Sequence, residues 1–261
     1  MVASIEARNA NYPEYILASK LRIVKIQKKP NISHQFTKAV ENYLLSIFHL
    51  DEIGGPVTPT RLSEQLKRIP ESEGLGTTLP SVGGMVKRME REHLVKLSRE
   101  KDITLTSAGQ KAAKVMVRRH RLAERMVVDM LGLELHKAHI EAHRLEHAIS
   151  DDIENRINRK LGYPKTCPFG HPIPGNGHHP KKSTIKLSDS VQGQNYVVDR
   201  VPEDDQSLLK YFVDNSLVPS QKIKTVETAP YRGIIKITTG PNTSVELSYG
   251  VAELIWVYPE H

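Results

Sequence analysis

Between His120 and His147 the chain concentrates polar donors in a pattern that only helices can bring together. His120 and Glu124 are four residues apart, and His143, Glu146 and His147 follow His139 at offsets of four, seven and eight. Four-residue spacing projects two side chains from one helical face. At about 100° per residue, the second group falls within an arc of roughly 100°. Three histidines and a glutamate on one narrow stripe make a poor solvated face, because neighbouring imidazoles repel one another once protonated. Neutral imidazole and carboxylate instead donate lone pairs to a divalent metal, which removes that objection. A solvated polar stripe remains the competing reading. His178 and His179 read as exposed bystanders.

The metal need not be catalytic. Zinc hydrolases often carry His-Glu-x-x-His, in which the glutamate serves as base; residues 143–147 here read His-Arg-Leu-Glu-His. No nucleophile or general base stands out elsewhere, so an organising metal is expected and an enzyme is not.

On the N-terminal side, apolar residues at Val40, Tyr43, Leu44, Ile47 and Phe48 mark one face of a helix that Gly54, Gly55 and Pro56 end. A short helical segment, Arg61 to Leu66, follows. A loop with Pro70, Gly74 and Gly76 leads to a second helix, capped by Thr78 with Pro80 in its first turn. Leu94–Leu97 and Ile103–Leu105 alternate as a hairpin. Helix, turn, helix and hairpin in that order predict a winged helix-turn-helix, whose second helix enters the major groove. A small helical domain without a DNA role is the alternative.

Three helices are then expected, from about Ser107 to Leu131, Leu135 to Ile149, and onward from a Ser150 cap. Their apolar surface exceeds what a lone hairpin of helices buries, which predicts pairing with a second copy. Residues 168–180, rich in proline and glycine, read as a polyproline-like linker. Short β runs at 196–198, 223–226, 234–237, 245–247 and 255–257, interrupted by a helical piece at 208–213, suit a small β-barrel or sandwich. The expected domains are an N-terminal extension (1–30), the winged helix-turn-helix (31–106), a helical metal-binding and dimerisation domain (107–165), a Pro-rich linker (166–185) and a small β-barrel (186–261). The fold class is therefore mainly α with β.

A chain of 261 residues has room for two or three such domains. Its net charge of +7 favours a polyanionic partner, though only modestly. A single cysteine, Cys167, suits a reducing compartment. No apolar run approaches the roughly 18 residues that span a bilayer, and the first residues do not resemble a secretion signal. A cytoplasmic protein without a membrane partner is expected.

Residues 120–154, HRLAERMVVDMLGLELHKAHIEAHRLEHAISDDIE, resemble the diphtheria toxin repressor family. The likeness continues through EREHLVKLSREKDITLTSAGQ before them and CPFGHPIPG at 167–175, and covers about residues 36–261. The resemblance implies a winged helix, a helical dimerisation domain and a C-terminal barrel of the Src-homology-3 kind. It also implies a homodimeric repressor that silences metal-uptake genes with ferrous iron or manganese as co-repressor; Co, Ni and Zn are further possible ions. An ancillary site would comprise His120, Glu124 and His139 with Glu203 and Gln206 from the β domain. A primary site would comprise Asn42 with His143, Glu146 and His147.

Iron-responsive members carry methionine and cysteine where this chain has Asn42 and His143, and manganese-responsive members carry carboxylates at both. The turn before the second helix is also longer, and Gly83 and Gly84 replace polar base-reading side chains. By this reading metal clamps the winged helix to the next domain and fixes the spacing of paired recognition helices at about 34 Å on double-stranded operator DNA. Thr78, Pro80 and Ser81 would approach bases, with Arg61, Arg88 and Arg91 as phosphate contacts or salt-bridge partners. A metal-independent winged-helix regulator with a structural metal site, and a metallohydrolase, are the competing functions.

Overall fold

The computed structural model describes residues 36–179, 181–240 and 243–260; the expected N-terminal extension, 1–30, lies outside them. Helix α1 (Lys38–Ile53) begins where the Thr37 hydroxyl accepts from the Val40 amide, and Gly54 ends it at φ +95°. Helix α2 (Pro59–Leu66) is capped by Thr58, with proline in its first turn where no amide is needed. After residues 67–78 comes α3 (Leu79–Arg91), capped by Thr78, and then the hairpin of β1 (Val95–Leu97) and β2 (Ile103–Leu105). Val95 faces Leu105 and Leu97 faces Ile103 across it. Leu44, Ile47, Leu62, Val82, Met89 and Ile103 are all buried in one core, each contributing about 1.5–3 kcal/mol by leaving water. The order and packing are those of a winged helix.

Helix α4 (Ser107–Arg125) packs on this unit through Gly109. A Cβ there would lie 1.9 Å from the Leu94 carbonyl oxygen, so only glycine permits the approach. The expected helix to Leu131 departs from α winding over Met126–Met130, a single π turn before Gly132. Helix α5 (Ala138–Leu145) is also shorter than expected, flanked by 3₁₀ turns at Leu135–Lys137 and Glu146–Ala148. The extended backbone of Ser150, which caps α6 (Asp151–Lys160), forces the exit. Three residues per turn rotates Glu146–Ala148 by about 20° more per residue than α winding does.

The segment expected as a linker is instead a folded strap. Thr166 bridges Pro172, and Cys167, Phe169 and Ile173 are fully buried. Arginines spaced three and four apart on α4 hold it: Arg118 donates to the Pro174 carbonyl, Arg121 to Pro172 and Arg125 to Thr166, at 2.6–2.8 Å. Composition misleads here because proline, by fixing φ, lowers the entropy cost of ordering an irregular segment. Gly170 adds a tight turn at φ +93°, where any side chain would strike Asp199.

Beyond the strap, β3 (Ile185–Lys186), β4 (Asn195–Arg200), β5 (Lys222–Ala229), β6 (Ile234–Gly240), β7 (Thr243–Ser248) and β8 (Trp256–Pro259) form an antiparallel sheet ordered β3-β8-β4-β5-β6-β7. Helix α7 (Gln206–Asp214) links β4 to β5, and α8 (Tyr249–Ala252) precedes β8. Register shifts in β4, β5 and β6 bend the sheet, the Src-homology-3-like curl expected of a small barrel. Its core takes in Phe169 from the strap with Val127 and Ala138 from the helices, so β domain and helical module share one interior. No helix among the described residues is long and apolar enough to cross a membrane.

Candidate metal centre

Four elements deliver polar side chains to one buried region beside the strap. Helix α4 supplies His120 and, one turn on, Glu124. Helix α5 supplies His139 and His143, and the 3₁₀ turn after it supplies Glu146 and His147. The loop ahead of α7 adds Glu203 and Asp204. Helix α1 presents Glu41, Asn42 and His49, which at offsets of one, seven and eight share its inward face.

His120 Nε2 lies 2.9 Å from Glu124 Oε1 and 3.0 Å from His139 Nδ1. His120 Nδ1 meets Glu146 Oε2 at 2.5 Å. Ligand atoms of His120, Glu124, His139 and Glu203 all fall within 4.8 Å of one another, and those of His120, His139 and His143 form a second such group. The three imidazole rings pack with centroids 4.6–4.8 Å apart. Glu146 Oε1 in turn lies 3.2 Å from His143 Nδ1 and 3.5 Å from His147 Nε2. His147 Nδ1 is 2.7 Å from Glu41 Oε2, and its Nε2 is 3.1 Å from the Asn42 amide. A carboxylate on one ring nitrogen fixes the tautomer and leaves the other nitrogen's lone pair for a cation.

The electrostatics divide the histidines by role. Burial works against a charge on His120, but Glu124 and Glu146 outweigh it and hold the imidazole well above its ordinary range. Burial, aided by the neighbouring His120 and His139, pushes His143 down to about 4 despite Glu146, so it is neutral at pH 7. Glu146 is held at about 2, its burial overcome by His143 and His120.

Four buried side-chain polar atoms lack a hydrogen-bond partner among the described residues, and three of them, Asn42 Oδ1, Glu73 Oε2 and Glu124 Oε2, lie in this region. An orphaned buried acceptor costs about 1–3 kcal/mol, and more when charged. Unpaired oxygens, clustered imidazoles and excess carboxylate in one place are the donor chemistry of a divalent cation. The residues fit such an ion.

Two expected residues take other places. Gln206 opens α7 and is exposed. Asp205 caps that helix and directs its first turn outward, while Asp204 turns in, its Oδ1 3.4 Å from His139 Nε2. Asp204 also accepts from Gln65 of α2 and from Arg68 just beyond it, and pairs with His49. Arg61 donates to the Pro56 and Gly54 carbonyls, so its charge serves the turn after α1. Arg88 pairs with Glu92 at 2.8 Å, the salt-bridge half of the expectation, and Arg91 is exposed. Thr78, Pro80 and Ser81 stand exposed at the start of α3, the Thr78 hydroxyl donating to that of Ser81.

Sequence reasoning missed Glu41, His49, Glu73 and Asp204. The seven-residue interval from Asn42 to His49 was a usable signal for the α1 members. Glu73, in a 3₁₀ turn at Glu71–Glu73 within an irregular connection, offered none.

A winged helix joined to a buried imidazole–carboxylate centre and a small β domain defines a metal-responsive transcription regulator. Residues 106–175 match the family model "Iron dependent repressor, metal binding and dimerisation domain", and residues 185–259 match the FeoA domain. The chain is 35% identical over 230 residues to the iron-dependent repressor IdeR of Mycobacterium leprae, covering 83% of this chain and 95% of that one. It is 39% identical over 135 residues to the diphtheria toxin repressor of Corynebacterium diphtheriae, 52% of this chain and 56% of that protein. A solved structure titled "Manganese-dependent transcriptional repressor complex with manganese" superposes with a TM-score of 0.74 at 30% identity, over 85% of this chain and all of that one. The chain belongs to the iron-dependent (diphtheria toxin) repressor family; it is a metal-dependent transcriptional repressor and not an enzyme.

Proposed function

We propose that this chain is a cytoplasmic homodimer that binds double-stranded operator DNA when loaded with ferrous iron or manganese and thereby represses metal-uptake genes. The ion would be held at a primary site by Asn42, His143, Glu146 and His147, and at an ancillary site by His120, Glu124, His139 and Glu203. The observation that carries this reading is the set of buried, unpartnered oxygens of Asn42, Glu73 and Glu124, gathered among imidazoles on elements of the winged helix and the helical module. Bound there, the cation supplies positive charge to the buried carboxylates.

The chain's own residues do the rest. Asn42 sits on α1 of the winged helix and His143, Glu146 and His147 on the helical module, so drawing them together fixes one domain against the other. Such a clamp shifts the population only as far as the ion prefers the closed form. Glu41 orients His147, and Asp204 ties the β domain to α2. Thr78, Pro80 and Ser81, exposed at the start of α3, would meet bases, with Arg91 toward phosphate. Met130, Leu131 and Ile153 leave apolar surface exposed on the helical module, which supports a second copy as its cover.

An operator titration against Mn, Fe, Co, Ni and Zn under anaerobic conditions, with and without chelator, tests the reading. Binding should require metal, and His147→Ala should raise the metal concentration needed. Equal DNA affinity in chelator would favour a metal-independent regulator and overturn the proposal.

A further inference from the structure

We infer that Glu73 is an additional ligand of the primary metal, and that through it the ion grips the connection leading into α3. The inference rests on the primary site proposed above. Glu73 stands in the 3₁₀ turn Glu71–Glu73, ended by Gly74 at φ +64°. Its neighbours Glu71 and Ser72 are exposed, yet its own side chain is only 6% exposed and turns inward. There Glu73 Oε2 lies 3.5 Å from His147 Nε2 and has no hydrogen-bond partner. The same ring nitrogen is 3.5 Å from Glu146 Oε1 and 3.1 Å from the Asn42 amide, whose oxygen is likewise buried and unpartnered.

A solvent-exposed turn has every opportunity to leave a glutamate in water. Burying that charge beside a second carboxylate is unfavourable unless a cation compensates it. Charge balance agrees. Asn42 is neutral and imidazole donates to a metal only as the neutral ring, so Glu146 alone would leave a divalent ion half compensated, and Glu73 completes the balance. It also supplies a hard oxygen donor, which suits manganese and ferrous iron better than softer ions.

The placement has a mechanical consequence. Residues just after Glu73 are pinned at two successive carbonyls: the Tyr43 hydroxyl donates to that of Gly76, and the Ser63 hydroxyl to that of Thr77 at 2.6 Å. Thr78, the α3 cap, follows directly. A ligand at Glu73 therefore couples the ion to the start of α3 along the chain itself, beside the path through α1.

The test is manganese(II) binding by the full-length protein, measured by competition against a fluorescent chelator, with the thermal midpoint of the metal-free protein as a second readout. Glu73→Gln should weaken one manganese site by about tenfold or more, lower the preference for manganese over zinc, and leave the metal-free midpoint unchanged or raised. Glu73→Ala should behave alike, and Glu71→Gln, exposed on the same turn, should match the parent. Manganese affinity within twofold of the parent for both Glu73 variants, or a lowered metal-free midpoint without loss of affinity, overturns the inference. His147→Ala separates the two levels. If it weakens binding while the Glu73 variants do not, only the role of Glu73 falls; if it too leaves binding intact, the primary site falls with it.

Discussion

Raising the pH from 6.5 to 9.5 should loosen the β domain from the winged helix in the metal-free protein, because His49 loses its proton. His49 reaches from α1 to Asp204 Oδ2 at 3.2 Å and to Glu203 Oε1 at 3.4 Å. Burial opposes the imidazolium, but these two carboxylates outweigh it and lift His49 from 6.5 to about 9. In this window the folded chain holds a proton that the unfolded chain has released. The contribution is therefore complete below about pH 6.5 and is lost as pH rises through about 9. A shift of about 2.5 units at about 1.4 kcal/mol each gives about 3 kcal/mol. Asp204, held well below the ordinary carboxylate range, reports the same interaction from the acid side, and the two are not added. Urea unfolding of parent and His49→Gln protein in chelator, at pH 6.5 and 9.5, isolates the effect, since His120 titrates alike in both. The stability gap between them should shrink by about 3 kcal/mol across the window. An equal gap at both pH values would refute the reasoning.

Three further outcomes follow from the structure. Metal uptake at pH 7 should release a proton from His120, whereas His143 at about 4 has none to give; calorimetry in buffers of differing ionisation heat measures it, and buffer-independent heats would contradict it. Phe169→Ala should cost about 3–5 kcal/mol in denaturant unfolding, because the strap residue is fully buried, whereas a true linker would lose almost nothing. Gly109→Ala should cost about 3 kcal/mol, seen as a lowered thermal midpoint, since its new Cβ meets the Leu94 carbonyl at 1.9 Å.

What could be read from the sequence was what local rules govern. The four-and-three spacing of Val40, Tyr43, Leu44 and Ile47 marks α1, Thr78 with Pro80 marks the start of α3, and alternation around residues 99–102 marks the hairpin. Each depends on neighbours a few positions away. The donors on α4 and α5 were legible for the same reason, as helical periodicity aligns them. The strap was not, because its burial depends on three arginines of α4 more than forty positions upstream. Gln206 is an inward donor only by the resemblance to the family, but the Asp205 cap settles where α7 begins and hence which way its first turn faces. Glu73 had no periodic partner at all; only the path of residues 67–78 brings it to His147.

The adjacency of Glu203 and Asp204 gives the β domain a role that neither residue suggests alone. Glu203 joins His120, Glu124 and His139 in one compact donor group, while the next side chain accepts from Gln65 of α2 and from Arg68 just beyond it. An ion that draws Glu203 inward must carry Asp204 with it, since one peptide unit separates them. Under the proposed function, occupancy of the ancillary site is thereby felt in the helix-turn-helix through α2, while the primary site acts through α1. Two routes into one small domain resist rotation where a single contact would act as a pivot. The orientation of α3 is then set by both sites together, and losing either one should release one axis of motion rather than the whole domain.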